Sequence, residues 1–456
     1  MTGYEKLKQM KKQIKCNIPE LLALASQHDP FYAGSKTQSL QAEWFANLWE
    51  KFGYTSVIHL RRIHYQIVSE AVIKKHNGEL YENTDKDWKY LNACSRYARY
   101  LKLVDATAFV DKRNPDPHIF RAFESNGYVN PTWYITQNYN NWEVPTIGTD
   151  LTWNLDWSLP QYEIKGYEYI ETLQPYHIEI WEEKSTMDDI LIPLCKKYYA
   201  NLVTGIGFQS ITSVLQLIDR VICIQKPIRI FYISDFDPAG VQMPVQVSRQ
   251  IEYWLDQKNL QLDIQLCPIV LINEQVREYQ LPRVPIKETD KRKSNFEDTF
   301  GTGAVELDAL EALHPGELKK IVEGHILEHR DEDLQERLNE AKNEANDKLE
   351  EEWILIEDEY EHQLNEIQEN VESIVERYQE RLEELSAEME DDLGPYKNSL
   401  NSLWQDVKKS ADDIEIDLPD KPTPENNTIA DNWLFDSSRD YFEQLKHYRL
   451  YKTSKS

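Results

Sequence analysis

The sequence predicts an α/β protein with added α structure. Its parts are an N-terminal winged helix-turn-helix, a mostly parallel Rossmann-like sheet and a long C-terminal helical arm in coiled-coil form. Three observations predict this. Residues 38–103 carry apolar side chains at helical spacing in three successive stretches. Residues 176–271 alternate short apolar strands with amphipathic helices, the grammar of a parallel sheet covered on both faces. Residues 331–393 repeat an apolar side chain about every fourth position within a run of 25 acidic and 5 basic residues.

Composition bounds the possibilities. At 456 residues the chain has room for two to three domains of about 150 residues each. With 41% hydrophobic and 29% charged residues it can bury a sizeable core. There is no apolar run of about 18 residues, so no membrane span is expected. The basic start MTGYEKLKQMKKQIK leads into no apolar core of the signal-peptide kind. The five cysteines lie far apart and form no CxxC pair. A disulfide framework and a zinc site are therefore disfavoured, and a reduced, cytoplasmic setting fits. The net charge of −28 is unevenly placed: residues 331–393 carry −20, whereas residues 1–125 carry +5. A polyanionic partner is confined to one end of the molecule rather than excluded.

The elements follow in order. Residues 1–37 read as an N-terminal helical extension. QSLQAEWFANLWEKFG (38–53) places Leu40, Trp44, Phe45 and Leu48 on one helical face. A second helix covers roughly 57–75, and a third starts at the capping residues Asn83 and Thr84 and runs to about 103. The alternating VDATAFVDKR then reads as a strand or wing. Together these make residues 38–125 a winged-helix domain. Arg62 on its second helix and Lys86, Lys89, Arg96 and Arg99 on its third form a basic surface suited to DNA phosphates. The same pattern also fits a small helical domain with solvated lysines. Residues 126–175, rich in Trp, Tyr, Asn and Pro, read as connecting strands and loops whose aromatics either pack in a core or stack on bases.

Within 176–325, HIEIW, NLVTG, IRIFYIS and DIQLCPIVL are strands, and 187–199, 209–221 and 240–257 are helices. A basic linker, IKETDKRKSNFEDTFG, precedes a helical return at VELDALEALHPGELKKIVEGHI. The acidic arm occupies 326–395. Its apolar positions from Leu334 to Leu393 recur at a mean of 3.69 residues, which predicts a nearly straight or slightly right-handed helical hairpin or coiled coil. A single helix of that span would be about 90 Å long. Gly394-Pro395 is expected to end it, leaving a tail at 396–456 with a Pro/Asn-rich break at 419–428.

Two constellations can carry chemistry. Glu183 follows the strand HIEIW, and Asp235 and Asp237 close IRIFYIS. Carboxylates two apart on extended chain point the same way and can share a hard cation such as Mg²⁺. The alternative is that DFDPAG is a polar turn in which aspartate caps a helix and proline sits near its start. The second constellation is Arg61 and Tyr65, four apart and so on one helical face. A guanidinium beside a tyrosine can support a phenolate nucleophile and the charge on a phosphate. A tyrosine so placed is otherwise an ordinary core residue.

A tyrosine helix followed by a Glu–DxDPxG α/β unit resembles the A subunit of topoisomerase VI and the related meiotic double-strand-break transesterases. The resemblance covers roughly residues 40–325 and marks the chain as a divergent, bacterial-type member with an added arm. LRRIHYQIV resembles the family's tyrosine motif and puts its nucleophile on Tyr65 and the preceding arginine on Arg61. WEEK resembles the first-strand motif of the family's Toprim domain and puts its glutamate on Glu183. SDFDPAG resembles the aspartate motif and puts its acids on Asp235 and Asp237. GAVELDALEAL is similar to a later glutamate-containing segment, without implying a metal role for Glu306 or Asp308. His64 stands where the family has another tyrosine, and the acidic arm is foreign to it.

The resemblance implies a Toprim domain at 176–325 and Mg²⁺-dependent DNA cleavage with a covalent 5′-phosphotyrosyl link. It also implies a homodimer that joins Tyr65 and the metal acids from different protomers, and a nucleoid-associated location. No ATP-binding loop is present, so ATP-driven strand passage would need a partner ATPase. Two alternatives remain open at this stage: a Toprim nuclease using metal-activated water, and a non-catalytic DNA-binding scaffold for that ATPase.

Overall fold

Apolar residues at periods of two and 3.6 alternate through the middle of the chain. In the computed structural model that segment forms a parallel sheet covered on both faces. The structure describes residues 1–54, 57–109, 114–121, 130–136, 157–205, 207–224, 226–379, 386–425 and 433–453. The elements begin with α1 (Gly3–Ile14), α2 (Lys36–Lys51), α3 (Leu60–Glu70), α4 (Asp85–Tyr100), β1 (Thr132–Ile135) and β2 (Tyr162–Lys165). The sheet region contains β3 (His177–Glu182), α5 (Asp188–Tyr198), β4 (Asn201–Thr204), α6 (Ile211–Val221), β5 (Ile228–Ile233), α7 (Met243–Lys258) and β6 (Ile264–Val270). Then follow α8 (Asn273–Glu278), α9 (Lys293–Phe300), α10 (Asp308–Leu313), α11 (Glu317–Leu327), α12 (Leu334–Gln379), α13 (Ser386–Asp412), β7 (Phe435–Asp436) and α14 (Tyr441–Thr453). No helix among the described residues is long and apolar enough to cross a membrane.

The chain divides into two units. The first comprises Met1–Glu124, Gln174–Asp331 and Glu425–Ser456; the second comprises Ser125–Leu173 and Glu332–Pro424.

In the first unit the sheet order is β4-β3-β5-β6-β7, parallel except for the antiparallel edge strand β7. Every residue of β3 and β5 is buried, as a strand covered on both faces requires. Trp181, Ile230 and Tyr232 join the core beneath α6 and α7, while Ile178, Ile180, Phe231 and Ile233 face α5 and α11. The chain leaves β3 for β4 on one side and then returns to β5 on the other. That reversal of strand order opens a crevice at the carboxyl ends of β3 and β5, where α/β sheets place their ligands.

Of the three expected helices of 38–103, the first and third lie close to their expected positions as α2 and α4, whereas the second is shorter, Leu60–Glu70 rather than roughly 57–75. Thr84 caps α4 by accepting from the Asp87 backbone N–H at 3.2 Å. The expected strand at VDATAFVDKR differs. Asp105 Oδ1 accepts from the Thr107 N–H at 2.9 Å and from its hydroxyl at 2.8 Å, closing a turn. Only Phe109 forms a bridge, to Ile58, and residues 110–113 lie outside the described residues. A small hairpin instead joins α3 to α4, with Lys74 pairing Leu80 around Gly78 at φ 87°.

The tail and the linker also carry structure. Residues 293–300 of the linker are α9, and the C-terminal segment supplies β7 and α14 to the first unit. The completely buried Arg249 joins three parts of that unit. It pairs with Asp29 at 3.2 Å and Glu252 at 2.9 Å, and stacks on the rings of Phe31 and Tyr441.

In the second unit α12 and α13 lie antiparallel. Tyr360 Oη meets Ser410 Oγ at 2.8 Å, while Val371 and Val375 cluster with Met389 and Leu393. The expected stop at Gly394-Pro395 is not observed, because Pro395 lies inside α13. Leu393 and Leu400, on either side of it, are both buried in the helix pair. That packing offsets the roughly 3 kcal/mol cost of an internal proline. β1 and β2 pair antiparallel, and their Trp133 and Tyr162 join the α12–α13 core, with Tyr162 5.4 Å from Trp353. Trp133, Trp157, Tyr162 and Tyr167 of the connecting segment thus pack in a core, whereas Tyr134 is exposed; 126–129 and 137–156 lie outside the described residues.

Candidate functional site

Parallel register brings Glu183 against the turn that carries Asp235 and Asp237. Glu182 pairs with Ile233, so Glu183, just past β3, lies beside the residues that leave β5. Glu183 donates its N–H to the Ile233 carbonyl at 3.0 Å, and its Oε2 accepts from the Asp235 N–H at 3.1 Å. Burial, with added repulsion from Asp235 and Asp237, pushes the Glu183 carboxyl up to about 7. Asp235 is buried; its Oδ1 accepts from the Leu307 N–H at 2.7 Å and its Oδ2 pairs with Lys184 Nζ at 2.8 Å. Burial raises its carboxyl, and Lys184 and the Leu307 N–H oppose that rise.

Asp237 Oδ1 accepts from the N–H groups of Ala239 at 2.8 Å and Gly240 at 2.6 Å. The aspartate therefore does cap the turn before α7. Its second oxygen makes no hydrogen bond among the described residues. Gly240 is needed by contact rather than by dihedral angle: a Cβ there would lie 1.9 Å from the Asp235 carbonyl oxygen.

The sequence did not assign Glu306 and Asp308 to this site. Phe236 and Val305 exchange two backbone hydrogen bonds of 2.9 Å, which carries residues 305–308 to the DFDPAG turn. Lys184 Nζ then lies 2.7 Å from Glu306 Oε2 and 3.4 Å from Asp308 Oδ2, as well as 2.8 Å from Asp235. Burial opposes the charge on Lys184, but its bonds to Asp235 and Glu306 hold it well above the usual lysine range. In the sequence these two acids are marked by the GAVELDALEAL segment alone, which carries no local signal of where it docks.

The donor chemistry suits Mg²⁺, which takes oxygen ligands from one or two carboxylates and keeps several waters. Glu183 Oε1 and Asp237 Oδ2 each make no hydrogen bond among the described residues. Among the described residues, however, no group of three acidic, histidine or cysteine side chains is gathered to hold a metal. Lys184 occupies the Asp235 oxygen that such a group would use. Holding an ion there requires Lys184 to shift toward Glu306 and Asp308, to which it is already paired.

The tyrosine helix is amphipathic in the expected sense. Ile63, His64 and Ile67 face inward; Arg61, Arg62 and Tyr65 are exposed, Tyr65 by 59%. His64 is a buried structural residue, its ring nitrogens 2.7 Å from Tyr81 Oη and 3.1 Å from Asn83 Oδ1. The Tyr65 hydroxyl makes no hydrogen bond among the described residues, and none joins Arg61 or Tyr65 to the acids. On α4, Lys86 and Lys89 are exposed. Arg96 instead donates to the Gln27 carbonyl at 2.9 Å, and Arg99 lies 4.8 Å over the Phe109 ring. Of the four expected phosphate contacts on this helix, two project freely and two are turned back onto the protein.

No protein-family model matches the chain, and no curated protein matches it.

Proposed function

We propose that the chain is a Mg²⁺-dependent DNA-cleaving enzyme of the topoisomerase VI A-subunit type, with a Toprim sheet and Tyr65 as nucleophile. The observation that carries this reading is the position of Glu183, Asp235 and Asp237. They lie at the carboxyl ends of neighbouring parallel strands, at the reversal of strand order. The likeness of LRRIHYQIV, WEEK and SDFDPAG to the family's motifs supports it as well.

In this reading the Tyr65 oxygen forms a bond to phosphorus as the bond to the 3′ oxygen breaks. The phenol proton passes to solvent, and the 3′ oxygen takes one up. The products are a 5′-phosphotyrosyl link and a free 3′-hydroxyl. Arg61, one helical turn before Tyr65 and exposed on the same face, supplies positive charge to the phosphate. Glu183, Asp235 and Asp237 would hold Mg²⁺, which supplies charge stabilisation to the phosphodiester. Glu306 and Asp308 retain Lys184 when Asp235 releases it. Arg62, Lys86 and Lys89 contact flanking DNA phosphates.

Several finer features belong to the same proposal. They are a winged helix at 38–125, a coiled-coil arm at 326–395, a nucleoid-associated setting and a partner ATPase. They also include a homodimer in which Tyr65 and the acids acting on one phosphodiester come from different protomers.

A second reading, hydrolysis by water at the same acids, is favoured by one observation: no base among the described residues touches the Tyr65 hydroxyl. The chemistry of the cut ends separates the two. Supercoiled plasmid cut with Mg²⁺ should show free 3′-hydroxyls and protein-blocked 5′ ends. Free 5′-phosphates would favour hydrolysis, and intact plasmid would count against both.

A further inference from the structure

A cavity of about 1020 Å³ opens in the first unit between residues 24–28, α4, the loop after β4 and the 287–292 loop. Its lining includes six cationic side chains, Lys89, Arg96, Lys287, Lys291, Arg292 and Lys452, against a single carboxylate, Asp290. The chain as a whole carries −28, so this concavity has the opposite sign to the molecule. Lys89, Lys287 and Lys291 make no ion pair among the described residues. Arg96 donates to a carbonyl rather than a carboxylate, its buried Nε has no hydrogen-bond partner among the described residues, and Lys452 donates to the Ala23 carbonyl. Among the described residues Arg292 alone of the six is paired with a carboxylate, Asp290 at 2.7 and 2.9 Å. His28 registers the same field: burial, then the charges of Arg96 and Arg292, hold its imidazole below the usual range.

The lining is more than a set of cations. Phe208 remains 40% exposed, with the Arg292 guanidinium 5.9 Å from its ring centre. Gln246 Oε1, also in the lining, is a buried acceptor with no partner among the described residues. Converging positive charges repel one another, and a bound polyanion removes that cost. An aromatic face beside an amide acceptor suits a heterocycle with amino donors. The volume is at the upper end of the about 300–1,000 Å³ of small-molecule sites.

We infer that this cavity binds a nucleotide, with phosphates on the cations and the base against Phe208. The chemistry is shared by a free nucleoside polyphosphate and by a nucleotide within a DNA strand. The inference stands on the cavity itself and does not depend on the cleavage chemistry.

Calorimetric titration of the full chain with ATP, with a 5′-phosphorylated tetradeoxyadenylate and with pyrophosphate tests it. ATP or the tetranucleotide should bind saturably, and Lys287→Glu/Lys291→Glu should weaken that binding by about tenfold or more. Both lysines are exposed, so the double variant should fold, as circular dichroism would verify. Lys408→Glu, on α13 of the second unit, should leave binding unchanged. Phe208→Ala should weaken nucleotide binding while sparing pyrophosphate. Tighter ATP would identify a free nucleotide as the ligand, and a tighter tetranucleotide would identify a strand. Absence of saturable binding by both, or binding indifferent to the double charge reversal, would overturn the inference. So would pyrophosphate binding as tightly as ATP with no effect of Phe208→Ala.

Discussion

Lys184 Nζ lies 2.8 Å from Asp235 Oδ2 and 2.7 Å from Glu306 Oε2, so one ammonium joins the turn after β5 to the segment before α10. Lys184→Met should leave crowded carboxylates without their counter-charge. In EDTA the variant should be less stable than wild type by about 1–3 kcal/mol. Added Mn²⁺ should raise its melting temperature more than that of wild type, because the cation replaces the lost ammonium. Thermal melts in EDTA and in Mn²⁺ check both halves.

Gly240→Ala should disturb the same turn by a different route. The new Cβ would lie 1.9 Å from the Asp235 carbonyl oxygen, a backbone atom that cannot rotate away. The expected cost is about 1–3 kcal/mol of overpacking, read by chemical denaturation. Ser234→Ala removes only a 3.2 Å hydroxyl bond to the Gly240 carbonyl and should cost less.

Arg249 is a stability determinant away from the acids. Arg249→Met removes the paired counter-charge of the fully buried Asp29 carboxylate, which keeps its bonds from the Ala23, Leu24 and Phe31 N–H groups, and should cost about 3–5 kcal/mol in urea unfolding. Asp29→Asn in that background should add less than it costs alone, since the two groups share one interaction.

Acid should destabilise the first unit through His329. Its Nδ1 donates to the His325 carbonyl at 2.8 Å, and its buried Nε2 has no partner among the rings of Tyr176, Phe231 and Trp433. Burial holds the imidazole down to about 4, below its ordinary value of 6.5. The neutral ring therefore contributes its full stability above about pH 6.5 and loses it as pH falls toward 4. The loss should be roughly 2–3 kcal/mol. Unfolding curves of His329→Phe should lack this component between those pH values.

Local signals in the sequence were good guides where a residue's neighbours are close in sequence. The all-apolar runs of β3 and β5, the Thr84 cap and the strand-end acids Glu183, Asp235 and Asp237 could all be placed from period and order. What escaped was delivered over long range. Glu306 reaches Lys184 because one bridge pairs Phe236 with Val305. β7 is a two-residue strand with no period to detect, and α14 is held by Tyr441 against Arg249. Pro395 reads locally as a stop, yet packing around Leu393 and Leu400 carries the helix through it.

The most direct test of the central claim is a denaturing trap for protein–DNA adducts. Protein, Mg²⁺ and supercoiled plasmid would be stopped with detergent, and wild type compared with Tyr65→Phe and Asp235→Asn. The account predicts a covalent adduct with wild type and none with either variant, both variants melting near the wild-type temperature. Adduct persisting in Tyr65→Phe, or cleavage indifferent to both substitutions, would contradict it.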